Sequence, residues 1–294
     1  MHRAAVEWQT LALIGAIYGL FGLLTWFHAS LPWWLLLPLG AYVVAWHSSL
    51  QHEVVHGHPT RWPWANRLLV LPNLWLWVPF EHYREVHLAH HVDDNLTDPD
   101  LDPESGYLHP EDWAHFGKAR RSLCWINNTL LGRMVLGPGL SLVSFFSSEL
   151  LKLRDGRLDW RAWGLNLLGA ALVLAWVVGL CGMAWWQYLL FFVYPGIGLS
   201  KVRSFLEHQA RPEVGQRTVI VEAGPLFGLL FLNNNLHVVH HAEPDLPWYA
   251  LPRRFRERRE AWLALNGQYR FSGYAEVFAR YLLWPKENVA HPLA

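Results

Sequence analysis

Cysteine is nearly absent from this 294-residue chain: the two present, Cys124 and Cys181, are far apart, which leaves no C-x-x-C pair to hold an iron–sulfur centre. A Gly-rich dinucleotide fingerprint is missing, and the His-Pro steps at 58, 109 and 291 lack the glycines of a His-Pro-Gly-Gly haem motif. The sequence therefore offers no electron donor of its own. Charge is also scarce. Only 16% of residues are Asp, Glu, Lys or Arg, against about 25% in an ordinary soluble domain, while 52% are hydrophobic and 15% aromatic. Nothing in this balance points to nucleic acid.

The scarcity is concentrated. No charged residue occurs from Trp8 to His52 or from Ala162 to Ser200. A bilayer span takes about 20 apolar residues, so each tract fits two spans joined by a tight turn. His28-Ala29-Ser30-Leu31-Pro32 separates spans near 9–28 and 33–50, and Cys181-Gly182-Met183 separates spans near 162–180 and 184–200. Lys and Arg crowd the remaining segments, among them Arg61, Arg67, Lys118, Arg120, Lys152, Lys201 and the run from Arg253 to Arg259. By the positive-inside rule those segments are cytoplasmic.

The expected fold is all-α and integral to the membrane: four transmembrane helices as two outward-pointing hairpins, with a cytoplasmic helical cap made of 51–161 and 201–294, in a single domain over 1–294. Both termini are expected in the cytoplasm, and a bacterial inner membrane is the expected location. Leu130 to Leu151, interrupted by Arg133, Gly137-Pro138-Gly139 and Glu149, is expected to be interfacial or re-entrant. Residues 66–80 and 223–232 are too short to cross upright and are expected as apolar helices at the cytoplasmic membrane surface. No A-x-A cleavage pattern follows the first apolar run, so it is expected to remain as an anchor. Cys124 falls on the cytoplasmic side and Cys181 in an outward turn, which excludes a disulfide between them.

Histidine is what the chain has in excess. Eleven of its 17 histidines fall in three clusters, at 47–58, 82–91 and 237–241. His52 and His56 are four apart, while His87, His90, His91 and His237, His240, His241 both read H-x-x-H-H. Residues three and four apart share one helical face, so each cluster aims two or three imidazoles at one point. Eight such groups exceed what one four-coordinate ion uses, which asks for two metal ions. On the membrane map every cluster is cytoplasmic, and the imidazoles are expected to converge in the cap with the open side toward the bilayer.

The pattern resembles the membrane fatty acid desaturase and hydroxylase superfamily, whose members carry three histidine boxes around a di-iron centre on a four-span bundle. The matching residues are His52-Glu53-Val54-Val55-His56, His87-Leu88-Ala89-His90-His91 and His237-Val238-Val239-His240-His241. The wording of 51–59, 87–97 and 234–252 is similar to small bacterial desaturase-like proteins, the dihydrorhizobitoxine desaturases among them. The resemblance implies nine metal ligands: His52, His56, His87, His90, His91, His208, His237, His240 and His241. His208 matches the lone histidine between the second and third boxes. One departure is Ser204, where acyl-CoA members place an asparagine that helps hold one metal; Asn233, Asn234 and Asn235 offer substitutes among which the sequence does not choose.

Other histidines have plainer expectations. His47, His58 and His82 fit no box position and are expected as non-ligands; His2, His28, His109, His115 and His291 are unclustered and default to the surface. Metal-bound histidines usually donate their second ring proton to a carboxylate or carbonyl, and Glu53, Glu81, Asp93, Asp94, Glu207 and Glu243 are close to boxes in sequence. From Asp98 to Glu104 the acids are expected as turn and cap residues of a solvated loop. The Arg253 to Arg259 run fits an exposed helix face, or a site for lipid headgroups or an acidic electron donor.

Removing hydrogen from an unactivated methylene needs an oxidant stronger than any side chain, hence dioxygen on a redox metal. Zinc cannot change oxidation state. The resemblance thus implies two iron ions with O2 as co-substrate, a lipid substrate, and an external donor such as ferredoxin, rubredoxin or a b-type cytochrome system. The expected activity is O2-dependent desaturation of a fatty acyl or similar apolar chain. Hydroxylation or ketolation of a carotenoid or alkane on the same metal site is the alternative. His52-Glu53-Val54-Val55-His56 also matches the H-E-x-x-H signature of zinc metallopeptidases, a reading that uses two histidines and leaves seven without a role. A metal transporter would place ionisable residues in mid-span, whereas these spans are charge-free.

Overall fold

The computed structural model describes residues 6–293. His2 lies outside them. The chain is mostly helical and divides into two compact units, each built from two separated segments. One comprises residues up to Arg84 together with Pro138–Ser200; the other comprises Glu85–Gly137 and the chain from Lys201 onward.

In the first unit the charge-free tracts form helices where expected. Trp8–Trp26 and Trp33–Val55 are joined by a short turn at His28–Ser30. Asp159 caps the helix Trp160–Leu174 by accepting from the N–H groups of Arg161 and Ala162. That helix runs on through a π-helical stretch to Leu180, and Gly182 turns the chain at φ +68°. Among the described residues two helices, Trp8–Trp26 and Trp160–Leu180, are long and apolar enough to cross a membrane. Cys124 and Cys181 are both free thiols.

The return helix starts at Trp185, passes through a second π-helical stretch at Leu189–Val193, and ends as Tyr194–Ser204. Pro195 accounts for the irregularity: it has no N–H to give to the carbonyl of Phe191 four residues back, and its ring crowds that carbonyl. Gly40 of the Trp33–Val55 helix lies against the freed group, close enough that a Cβ there would sit 2.5 Å from the Phe191 oxygen. Gly196 approaches Val44 in the same way. Small residues let the two backbones meet.

Residues 66–80 do not form the expected surface helix. Pro63–Leu69 is helical, and residues 70–79, which include Pro72 and Pro79, form an irregular segment tucked into the unit with Val70, Asn73 and Leu74 buried. Irregular backbone is stable inside an apolar body only where its polar groups find partners. Here Tyr18 donates to the Leu69 carbonyl (2.8 Å), Tyr188 to Leu74 (2.7 Å) and Asn166 to Leu76 (3.0 Å), while Asn73 donates to Asn166 (2.6 Å). The Leu130–Leu151 stretch becomes two helices, Leu130–Val135 and Gly137–Arg154.

The second unit has its own core, in which Ile220, Val238, Val239, Leu251, Phe255 and Trp262 pack together. A two-residue parallel pairing of Ile220–Val221 with Arg270–Phe271 is a small departure from an all-α chain. The six-residue helix His237–Ala242 is too short to persist alone. It is held by Val238 and Val239, whose burial contributes about 1.5–3 kcal/mol each.

Candidate metal centre

Seven of the nine expected ligands belong to the second unit. His87 and His90 occupy the last turns of the helix Phe80–His90 and His91 follows it; His208 lies just beyond Tyr194–Ser204; His237, His240 and His241 share one short helix. The structure gathers them into two nests. In one, His90, His208, His237 and His241 offer nitrogens within 4.8 Å of one another. The Nε2 atoms of His90 and His208 are 2.9 Å apart, those of His208 and His237 3.0 Å, and the His241 Nε2 is buried without a hydrogen-bond partner. In the other, the Nε2 of His91 lies 3.1 Å from those of both His87 and His240.

The outer ring nitrogens explain why these inner ones face each other. His90 Nδ1 donates to Asp102 (2.8 Å), His241 Nδ1 to Asp93 (2.9 Å), His87 Nδ1 to Glu104 (2.9 Å) and His237 Nδ1 to the Asn234 side-chain oxygen (3.1 Å). An ionised carboxylate only accepts, so each such bond places the proton on Nδ1 and leaves a lone pair on Nε2. Several lone pairs then point at one spot, an arrangement that repels itself unless a cation sits between them. Protons are poor candidates. Burial, with the neighbouring histidines adding to it, pushes the pKa of His208 and His237 well below the usual 6.5; burial also lowers His241, against the pull of Asp93. At His90 burial acts in the same direction but is outweighed by Asp102 and the nearby Glu104, so its pKa is raised. A buried, all-nitrogen donor set with carboxylates behind it fits a transition-metal ion.

His52 and His56 lie in the first unit, in the last turn and at the cap of Trp33–Val55, with ring centroids 5.0 Å apart and both side chains buried. Glu53 between them is buried as well.

The remaining histidines make other contacts. His47 bonds the Tyr18 hydroxyl (3.2 Å), His58 pairs with Glu7, and His82 packs edge-on against Phe145 beside Lys152. His28, His109 and His115 bond Thr25, Asp100 and Glu111 nearby in sequence. His291 departs from its expected surface place. It is buried, bonded to Thr97 (3.3 Å) and packed edge-on against Tyr107.

The acids also rearrange. Asp93 orients a nest histidine as weighed from the sequence, whereas Glu81 pairs with Arg67 and Glu243 with Arg254 (2.9 Å). Glu207 stands 3.7 Å from His237 and is paired with Arg203 (3.0 Å). Asp102 and Glu104, expected as loop residues, turn out to orient His90 and His87. Asp102 is also a loop organiser, accepting from the N–H groups of Thr97 and Glu104 (both 2.9 Å), so the structural and the orienting role reside in one carboxylate. The alternation of acids from Asp98 to Glu104 was the one signal available, and it does not separate the two roles. Of the three asparagines, Asn233 and Asn235 donate to the carbonyls of Trp248 and Val221, and Asn234 alone lies against a nest histidine.

A family model described as fatty acid desaturase matches residues 28–273. No curated protein matches the chain.

Proposed function

The chain belongs to the fatty acid desaturase family, and from that premise we propose that it is a membrane di-iron enzyme that desaturates a fatty acyl or similar lipid chain. The observation that carries this reading is the pair of nests in which carboxylate-oriented imidazoles turn their lone pairs inward. We assign all nine histidines, His52 and His56 included, as ligands. Bound iron would supply the dioxygen activation that an unactivated methylene demands. The protein's own part is to present neutral Nε2 donors, which Asp93, Asp102, Glu104 and Asn234 fix by holding the Nδ1 protons. Two hydrogens leave the lipid chain, and O2 takes them with two electrons and two protons to give two waters. The electrons come from outside the chain, from a ferredoxin, a rubredoxin or a b-type cytochrome system.

On this reading the charge-free tracts supply four spans of a bacterial inner membrane, and the termini and nests are cytoplasmic. Two candidate membrane helices support the membrane placement. A zinc peptidase built on His52, Glu53 and His56 would leave the seven gathered histidines of the second unit without a purpose.

The test is expression of the chain, with His240→Ala and His90→Ala controls, in a host of defined lipid profile, followed by mass spectrometry of the extracts. Loss of two hydrogens from a lipid class, absent in both controls, is the expected result. Gain of one oxygen would identify a hydroxylase on the same site, and an unchanged profile would count against the assignment. Both variants are expected to lose bound iron while staying in the membrane.

A further inference from the structure

We propose that residues 113–135 and 282–284 of the second unit form a face that rests on an anionic bilayer surface. The helix Lys118–Asn127 buries none of its residues. Ala119, Leu123 and Ile126, spaced by four and three, share one side of it, and Lys118, Arg120 and Arg121 flank and back that side. The chain end extends the apolar area. The N–H of Leu131 donates to the carbonyl of Leu282 and that of Lys286 to Asn128 (both 3.0 Å), and Thr129 pairs with Pro285. Leu283 and Trp284, 61% and 68% exposed, are thereby held beside the exposed Leu131.

The charges decide the occupant. Among the described residues no carboxylate lies within ion-pair distance of Lys118, Arg120 or Arg121; Arg120 lies over the Phe116 ring at 3.5 Å and Arg121 over Trp113 at 5.4 Å. The other basic run of this unit is more fully compensated, since among its five arginines Arg253, Arg254 and Arg259 each pair with a glutamate, Glu257, Glu243 and Glu222, and only Arg256 and Arg258 have no ion pair among the described residues. Uncompensated cations around exposed leucines and indoles suit the junction of anionic headgroups and acyl chains, where aromatic side chains settle. A soluble acidic partner would be drawn by the cations but would gain little from covering so much apolar surface only at their edge. The same chain carries helices able to cross a bilayer, so a lipid surface is at hand.

The test uses the full chain with Cys124→Ser and Cys181→Ser, carrying a nitroxide on Ile126→Cys or, separately, on Trp284→Cys. Both labelled positions are exposed, so neither substitution removes a buried contact. Each protein is placed in nanodiscs of phosphatidylcholine alone and of equal parts phosphatidylcholine and phosphatidylglycerol, and collisions with oxygen and with a water-soluble nickel chelate are compared. Oxygen-favoured exposure at both positions, deeper in the anionic discs, is expected. One basic side chain near an anionic surface is worth about fivefold, so Arg120→Gln with Arg121→Gln should cut the ratio of immersed to free face in those discs by about 25-fold. Chelate-favoured exposure at either position overturns the proposal, and equal immersion without phosphatidylglycerol overturns the anionic preference. Spin–spin broadening that vanishes on dilution with unlabelled chain would assign the face to a second copy instead.

Discussion

At the scale of single residues, the site works through which nitrogen holds the proton. Asp102 is the sharpest example, because one oxygen fixes the Nδ1 proton of His90 while the carboxylate also holds its own loop through Thr97 and Glu104. Asp102→Asn keeps the shape and removes the charge. Outer partners of this kind typically matter by about 10–100-fold in metal affinity, and a loss in that range is expected in a competition titration with a chromophoric chelator; unchanged affinity would reduce Asp102 to a loop residue. Acidity probes the same logic. His208, His237 and His241 have folded pKa values below the usual 6.5, so below that pH the unfolded, metal-free chain binds more protons and the folded state loses stability as pH falls; His90, with a raised value, opposes this and is outnumbered. Metal release followed by absorbance is therefore expected to grow as pH drops through about 6.5. The three histidine clusters were legible because helical spacing is local, whereas the isolated His208 came only from the family resemblance. Of the orienting carboxylates Asp93 was a candidate, although its partner His241 lies 148 residues away in sequence; Asp102 and Glu104 were not, since a loop-capping acid reads the same whether or not the fold brings it to His90 or His87. His291 escaped for the same reason, being buried by Thr97 and Tyr107 from far back in the chain.

At the scale of elements, the first unit shows how a sequence break becomes a contact. Pro195 frees the Phe191 carbonyl, and Gly40 is the residue that lets the neighbouring helix come up to it. Gly40→Ala would put a methyl 2.5 Å from that oxygen, and backbone cannot swing aside as a flexible side chain can. Overpacking of this kind costs about 1–3 kcal/mol, so a lower unfolding temperature in detergent is expected. Gly19→Ala, on Trp8–Trp26 with no neighbouring element within 4 Å of the added carbon, is the matched control and should leave it unchanged or slightly raise it through helix propensity. Helix positions could be read from the charge-free runs, because length and apolarity are properties of the run itself. The fate of residues 70–79 could not. A proline-broken apolar segment is stable inside only if donors reach its carbonyls, and here those donors are Tyr188 and Asn166 from other helices, at Leu74 and Leu76.

At the scale of the whole molecule, the two units differ in what holds them. The first is made of long helices joined by apolar packing and a few side-chain bonds, among them the buried Asn73 to Asn166 (2.6 Å) and the part-buried Trp176 to Thr25 (2.9 Å). The second contains short elements, and two of its structural pieces, the His237–Ala242 helix and the loop carrying Asp102 and Glu104, end on imidazoles whose lone pairs face one another. A bound cation relieves that repulsion only in the folded state, and ligands that bind the folded chain alone stabilise it in proportion to the logarithm of their saturation, about 2.7 kcal/mol at a hundredfold excess over the dissociation constant. Chelation should therefore loosen the second unit, and in the first only the end of Trp33–Val55 that carries His52 and His56. In hydrogen–deuterium exchange on the full chain in nanodiscs, removing metal is expected to speed exchange at 87–104 and 237–242 and to leave Trp160–Leu180 unchanged, with His240→Ala reproducing the pattern without a chelator. Uniform acceleration across both units would mean that metal stabilises the chain as one cooperative body, and no change at 237–242 would mean that the nests hold their shape without it.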